Sequence, residues 1–567
     1  MFQNVFKPRL FETLKSYSSK QFSADFMAGI IVGIVAIPLA IAFGIASGVG
    51  PTEGLVTAII AGFIISAFGG TRVQIGGPTG AFIVIIYGII QQYGLSGLMI
   101  ATIIAGILLI LMGIFKLGSI IKFVPYPVIV GFTGGIALTI FSTQINDFFG
   151  LGLKNIPADF IGKWIYYFQN ISHIHLASFA VAAGSLAVII IFPKISKKIP
   201  GSLVAIILAT AVVWALKKFC GITEITTIED LYKLPSGIPM PHLPELTLKE
   251  GPTFFSMLKD LFSPAFTIAM LGAIESLLSA MVADGVISDK HDSNTELIAQ
   301  GIANIASPLF GGIPATGAIA RTMTNINNGG RTPIAGIVHA GVLTLVLLFL
   351  GKLVGMIPMP CLAAVLIIVS YNMSGWRTFI SMAKNPKSDF AVLIVTFVLT
   401  VIFDLTIAIE IGLLLALLLF LRRTNETTEI RTFKNEIDPN DESDVILHDE
   451  EKLIIPQGVA VYEIDGPYFF GIANKFEEVM SRIAEQPKVR IIRMRKVAFI
   501  DSTGMHNLET LCKRSEKEKV QIVLSGVNER VRHTLEKAGF TKVLKEEFIC
   551  SNINEALEKA AQQLAVK

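Results

Sequence analysis

As far as Leu421 the chain is a succession of long apolar runs separated by short polar or glycine-rich pieces. Beyond Arg423 it turns to short apolar strands alternating with amphipathic stretches. The runs at 26–45, 98–114, 176–192, 203–216 and 337–350 approach the ~20 residues a helix needs to cross the hydrocarbon of a bilayer. The pattern predicts a transmembrane domain over residues 25–422. A cytoplasmic arm (1–24) precedes it, and a linker (423–455) and a cytoplasmic domain (456–567) follow. The first run starts behind Lys7, Arg9, Lys15 and Lys20, lacks a small-residue cleavage site and leads straight into further runs. A removable signal peptide is therefore not expected.

Basic clusters stand beside the runs: the arm itself, Lys194/Lys197/Lys198, Arg377/Lys384/Lys387 and Arg422/Arg423. The excess of Lys and Arg on cytoplasmic loops puts all of them, and both chain ends, on the inner face of the cell (inner) membrane. An even number of crossings follows, twelve to fourteen, with fourteen fitting if two segments are interrupted.

Composition narrows the class. The AVILMFWYC set makes up 52% of the 567 residues and charged residues 16%, against roughly 25% charged in a soluble domain. With 47 Lys+Arg against 44 Asp+Glu, a net +3, there is no basic excess for a nucleic-acid partner. Disorder and collagen are excluded too. Cys220, Cys361, Cys512 and Cys550 are scattered without CxxC spacing, so neither a disulfide scaffold nor a structural zinc site is expected.

Two segments are interrupted. Residues 69–80 and 311–317 are rich in glycine and proline, and each leads into a short helix, 81–90 and 318–321. Non-helical backbone at membrane depth survives only where protein buries it or it lines a cavity. Thr79-Gly80-Ala81 matches Thr316-Gly317-Ala318 at an offset of 237 positions. The same offset places Ala36-Ile37 on Ala273-Ile274 and Gly48-Val49 on Gly285-Val286. Three matches in register indicate a duplication. An odd number of crossings in each half inverts the copies, the plan of secondary transporters with broken helices at the midplane.

A helix that starts inside the membrane offers unpaired N–H groups and a positive dipole end, which together bind anions. Thr79 and Thr316 stand at the two starts, where a hydroxyl caps the helix or donates to an oxyanion. Arg321, one turn into the second half-helix, brings a donor fork suited to oxyanions, and at that depth it needs a cavity or a partner. Glu275 interrupts an apolar run. Three uses are open to it: pairing with Arg321, carrying a proton, or coordinating a cation. Ser279, four residues on, shares its helix face. Phe43 either packs in the core or lines the site. Asp404 reads as a turn between two runs and Glu410 as lying near an interface.

These motifs resemble the sulfate permease (SulP) family of anion transporters over nearly the whole chain. The carriers are Ala36-Ile37-Pro38-Leu39-Ala40-Ile41-Ala42-Phe43, Gly76-Gly77-Pro78-Thr79-Gly80, Glu275-Ser276-Leu277-Leu278-Ser279, and residues 311–317 through Arg321-Thr322-Met323-Thr324-Asn325. The resemblance implies an α-helical polytopic membrane protein with fourteen transmembrane segments in a seven-plus-seven (UraA-like) inverted repeat, split into a mobile core and a gate. It also implies a homodimer. By position, Phe43, Thr79, Ala320 and Arg321 match residues that line the anion pocket, to which the two helix starts add Gly80, Ala81, Thr316, Gly317 and Ala318. Glu275 and Ser279 match the coupling-ion position. Sodium-coupled bicarbonate members carry aspartate and threonine there, so Na+, H+ and a charge partner for Arg321 all remain open for Glu275. No cofactor is expected beyond such an ion.

From Gly458, residues 459–464, 489–494 and 521–525 read as strands and 474–485 and 529–538 as helices, a small α/β domain. Asp501-Ser502-Thr503-Gly504 opens a helix. This end resembles the STAS domain shared by SulP transporters and bacterial anti-sigma-factor antagonists, in which the residue at the Thr503 position is phosphorylated. That implies a regulatory phosphosite at Thr503 and a cytoplasmic protein partner; plain capping by residues 501–504 is the alternative. The acidic stretch 438–444 reads as a solvated linker, with no metal site.

The reading is a secondary transporter of an inorganic oxyanion, sulfate or bicarbonate, working as symporter or exchanger by an elevator-like shift of the core past the gate. A proton-coupled dicarboxylate carrier, a base carrier on the same plan, an anion channel and a receptor are the alternatives. Interrupted helices favour alternating access over an open pore. No nucleophile–base pair or metal-ligand cluster is visible among the eight histidines, so an enzyme is not expected.

Overall fold

The computed structural model describes residues 6–119, 125–154, 156–157, 159–195, 200–219, 221, 224–232, 240–241, 254–384, 386–403, 405–433, 436–437, 453–472 and 487–565. The chain divides into two compact units, residues 1–416 and 417–567. Asp404, Cys220, Lys197, Lys198, the expected helix 474–485 and the acidic stretch 438–444 lie outside the described residues.

In the first unit α1 (Ser19–Ala46) and α2 (Pro51–Phe68) lead to an extended piece holding β1 (Gly76–Gly77). Then come α3 (Ile83–Ile114), α4 (Tyr126–Thr143), α5 (Leu176–Ile195), α6 (Gly201–Phe219), α7 (Phe254–Ile287) and α8 (Ser293–Leu309). A second extended piece holds β2 (Thr316–Gly317), followed by α9 (Ile319–Asn327), α10 (Ile334–Phe349), α11 (Met359–Met373), α12 (Lys387–Ile402) and α13 (Leu405–Thr427), whose chain passes the boundary at residue 416. Local chemistry sets the ends. The Ser18 hydroxyl accepts from the Gln21 N–H at 3.2 Å and caps α1. Pro51 opens α2, where its missing N–H costs nothing. Gly94, at φ 67°, breaks α3 into two helices, a left-handed turn that glycine makes without strain.

Among the described residues, eight helices are long and apolar enough to cross a membrane, and α10 is a shorter apolar one. The kinked stretch Gly80–Ile114 counts once in that eight. That is fewer than the fourteen segments expected from sequence; α8 with 17 residues and α9 with nine are too short to stand out by length.

Two groups of helices form. α1, α2, α3, α7, α8 and α10 pack on one another, and α4, α5, α6, α11 and α12 do likewise. Lipid is as apolar as leucine, so association rests on close packing, which small residues permit. Gly106 of α3 and Gly301 of α8 meet face to face. A Cβ on Gly106 would lie 2.7 Å from the Gly301 carbonyl oxygen, and one on Gly301 2.5 Å from that of Gly106. Gly29 of α1 stands in the same relation to the Ala335 carbonyl of α10, at 2.5 Å.

The two extended pieces are bare backbone within the membrane unit, and buried side chains satisfy them. The Glu296 carboxylate accepts from Gly70 N (3.0 Å), Thr71 Oγ1 (2.9 Å), Gln74 Nε2 (2.8 Å) and Gln300 Nε2 (2.9 Å). Asn304 does the same for the second piece, donating to Ala315 O at 2.8 Å and accepting from Ala315 N at 2.9 Å. β1 and β2 then pair antiparallel, Gly76 with Gly317 and Gly77 with Thr316. One step further along that register sets Pro78 opposite Ala315, which the offset of 237 makes equivalent positions, as an axis between inverted halves requires.

The second unit is a five-stranded sheet in sequential order: β3 (Glu429–Phe433), β4 (Val459–Asp465), β5 (Val489–Arg493), β6 (Gln521–Ser525) and β7 (Ile549–Cys550). β3 is antiparallel to β4 and the rest are parallel. α14 (Ser502–Lys517), α15 (Glu529–Lys537) and α16 (Ile553–Ala565) accompany it. β5 is buried along its whole length, as a parallel strand covered on both faces must be.

Candidate functional site

A cavity of about 420 Å³ lies in the seam between the two helix groups. Phe43 and Leu39 of α1, Thr79 and Gly80 at the first half-helix, Glu275 of α7, and residues 317–321 line it from one side. Thr133 of α4 and Val369, Asn372 and Met373 of α11 line it from the other. Of the residues expected from sequence, Phe43, Thr79, Gly80, Glu275, Gly317, Ala318, Ala320 and Arg321 are thus brought together. The half-helix starts face the same space: a 3₁₀ turn, Gly80–Phe82, begins at Thr79, and α9 begins after Ala318.

Hydrogen bonding corrects several expected roles. Thr79 does not cap its own helix by a side-chain bond; its hydroxyl donates to Glu275 Oε2 at 2.9 Å. Arg321 and Glu275 line the same cavity without pairing. The Arg321 guanidinium donates instead to the Gly76 carbonyl at 3.4 Å and to the Pro78 carbonyl. Those acceptors are neutral, so its positive charge stays uncompensated by them. Arg321 is 2% exposed, and a charge so buried is fixed in place by its bonds.

Thr316 is turned away from the cavity. Its hydroxyl donates to Gly272 O at 3.1 Å and shares a 2.6 Å bond with Ser276 Oγ, which in turn accepts from Gly317 N at 3.1 Å. The expected contact of Thr316 with an anion gives way to a strut between α7 and the second half-helix. Ser279 is fully buried outside the cavity, with its hydroxyl donating to Thr322 Oγ1 at 3.3 Å. Ala81 is buried behind the first helix start and does not line the space. Gly317 and Ala318 line it with their N–H groups already given to Ser276 Oγ and Ile75 O.

Sequence reasoning misses Thr133 and Asn372, both from the opposite helix group. A polar residue in an apolar run is their one signal, and Tyr371-Asn372 shows it. Glu410 is exposed on α13. In the second unit Thr503 is exposed in the first turn of α14. Asp501 caps that helix, accepting from Gly504 N at 2.7 Å, and also accepts from Phe470 N at 3.1 Å.

Residues 22–396 match the family model described as the sulfate permease family, and residues 452–560 match that of the STAS domain. YvdB of Bacillus subtilis, named provisionally as a sulfate transporter, is 42% identical over 503 residues, covering 88% of this chain and 90% of its own. The bicarbonate transporter BicA of Picosynechococcus is 30% identical over 523 residues, 89% of each chain. The fold is that of the murine Slc26a9 anion transporter, with a TM-score of 0.87 at 18% identity over 99% of this chain and 95% of that one.

Proposed function

Because the chain belongs to the sulfate permease family, we propose that it carries a small inorganic oxyanion across the cell membrane as a secondary transporter, both of its ends facing the cytoplasm. The observation behind this is the cavity in which the two half-helix starts, Arg321 and Glu275 meet. The first N–H groups of α9, those of Ile319, Ala320 and Arg321, have no partner within the helix. With the positive helix end and the guanidinium they attract an anion. Arg321 acts as a charge held in place by Gly76 and Pro78 rather than as a free clamp. Glu275, oriented by Thr79, takes the coupling ion, sodium or a proton.

The charge balance ranks the substrates. One guanidinium and one carboxylate line the cavity; a singly charged anion entering with one monovalent cation leaves that balance unchanged, whereas a doubly charged anion does not. Bicarbonate therefore stands ahead of sulfate. Transport is a shift of the group containing α1, α3 and α7 past the group containing α4 and α11. A homodimer, and a cytoplasmic partner that reads Thr503, complete the proposal.

The test is uptake of radiolabelled bicarbonate and sulfate into proteoliposomes, with sodium and proton gradients varied independently. Gradient-driven bicarbonate uptake that Arg321→Ala lowers at least about tenfold, ~1.4 kcal/mol of barrier, supports the reading. Uptake of neither anion, or full uptake by Arg321→Ala, overturns it.

A further inference from the structure

Resting on that reading, we propose a second anion site next to the first, in which Lys163 captures a singly charged oxyanion at the mouth of the seam before it reaches Arg321. A separate cavity of about 180 Å³ lies there. α1 gives Leu39 and Phe43 to the central cavity but Ala42 and Ala46 to this one. α11 gives Val369 and Met373 to the first and Leu362 and Leu366 to the second. α1 places the second cavity about one turn further along the same seam and α11 about two turns, ~5–10 Å in all. It lies toward the end of α1 opposite the basic arm, the outer side by the excess of positive charge at the other end. Tyr87 of α3 lines it from the α1 group and Lys163 from the other, so an occupant touches both moving parts.

Lys163 is the observation that points to a ligand. It belongs to the helix Phe160–Gln169, is only 6% exposed, and its ammonium makes no hydrogen bond or ion pair among the described residues. The nearby Asp159 carboxylate is engaged in capping that helix, accepting from Gly162 N at 2.6 Å. Burying an ammonium costs several kcal/mol unless something compensates it. The phenols of Tyr87 and Tyr167 line the same cavity, and each is a neutral donor an oxyanion accepts from. Asp147 lines it too, one of its oxygens accepting from Asn146 Nδ2 at 3.1 Å. That carboxylate repels any anion, a doubly charged one about twice as strongly, so beside the single Lys163 charge the cavity favours a singly charged oxyanion. A charge at the mouth acts chiefly on the rate of capture, so its effect falls on one side of the membrane.

The experiment measures half-saturation by bicarbonate from each face of proteoliposomes of fixed orientation. Lys163→Gln should raise the outer value roughly tenfold and leave the inner value and the maximal rate within about twofold, with Lys163→Arg restoring the outer value. Asp147→Asn should make outer sulfate a stronger competitor. A Lys163→Gln protein with unchanged outer half-saturation, or with both faces changed alike, overturns the proposal. A readout independent of transport separates it from the central reading: reductive methylation of Lys163 in the solubilised wild type, followed by peptide mass spectrometry. Protection by bicarbonate in an Arg321→Ala background supports the outer site even if uptake is lost; no protection in that background removes it.

Discussion

The Thr79 hydroxyl donates to the Glu275 carboxylate across 2.9 Å, joining the half-helix start of one repeat to a span of the other. A hydrogen bond to a charged group contributes about 1.5–3 kcal/mol. Thr79→Val should therefore lower uptake by about tenfold or more with the fold intact, while Thr79→Ser, which keeps the donor, should retain most of it. Equal activity in the two variants, read as initial uptake rates, would remove the bond from the mechanism.

Arg321 bridges to the Gly76 and Pro78 carbonyls, and Gly77 between them has φ 147°. A Cβ at Gly77 meets the Arg321 guanidinium, and the backbone there is one that side chains rarely adopt. Gly77→Ala should cost about 1–3 kcal/mol in strain and reduce uptake as Arg321→Lys does, since lysine cannot span two carbonyls as a planar fork. Thermal unfolding in detergent and uptake would check both; a fully stable and active Gly77→Ala would refute the bridge as a positioning device.

Glu296 holds four donors and is completely buried. Glu296→Ala leaves all four without an acceptor, and breaking such a buried network costs about 3–5 kcal/mol. The expected result is loss of monodisperse protein on size-exclusion chromatography. Wild-type yield and melting temperature would show that the extended piece is held by other means.

In the second unit, burial, with Glu509 and Glu516 adding to it, pushes the Cys512 thiol up to about 12. The folded state then keeps a proton that the unfolded chain releases near the ordinary thiol value of 9.0. Its contribution to stability is whole below pH ~9 and declines as pH rises toward 12. The melting temperature of this unit, followed by scanning calorimetry of the full chain, should fall over that range, and less steeply in Cys512→Ser. Identical slopes would exclude the thiol as the cause. At neutral pH the same burial predicts slow alkylation of Cys512 until the protein unfolds.

What the sequence discloses follows from contrast. Arg321 and Glu275 are legible because a charge in an apolar run has no ordinary reason to be there, and the half-helix starts because glycine and proline break such a run. Glu296 gives no such signal. It lies in the first turn of α8, behind the Asp292 cap, where an acid is commonplace. The direction of Thr316 is equally hidden. A hydroxyl at a helix start can face the ligand or the neighbouring helix, and only the approach of Ser276 decides it. Thr133 and Asn372 reach the cavity through the packing of α4 and α11 across the seam, a relation carried by no periodicity. In the second unit β4, β5 and β6 are legible because short apolar runs alternate there with amphipathic helices, whereas the two-residue β7, and β3, which falls in the stretch read as linker, are not.

The strand pair of Gly76 and Gly77 with Thr316 and Gly317 makes the two half-helices a single stiff part. On the proposed reading, residues from both halves of the chain grip the anion, and neither half lets go alone. The proposed shift would then carry the whole grip along and exchange only the Thr133 and Asn372 wall. The selectivity proposed for Arg321 and the α9 start would then be the same whichever way the molecule faces, and any difference in preference between the two faces of the membrane would belong to the wall and the mouth.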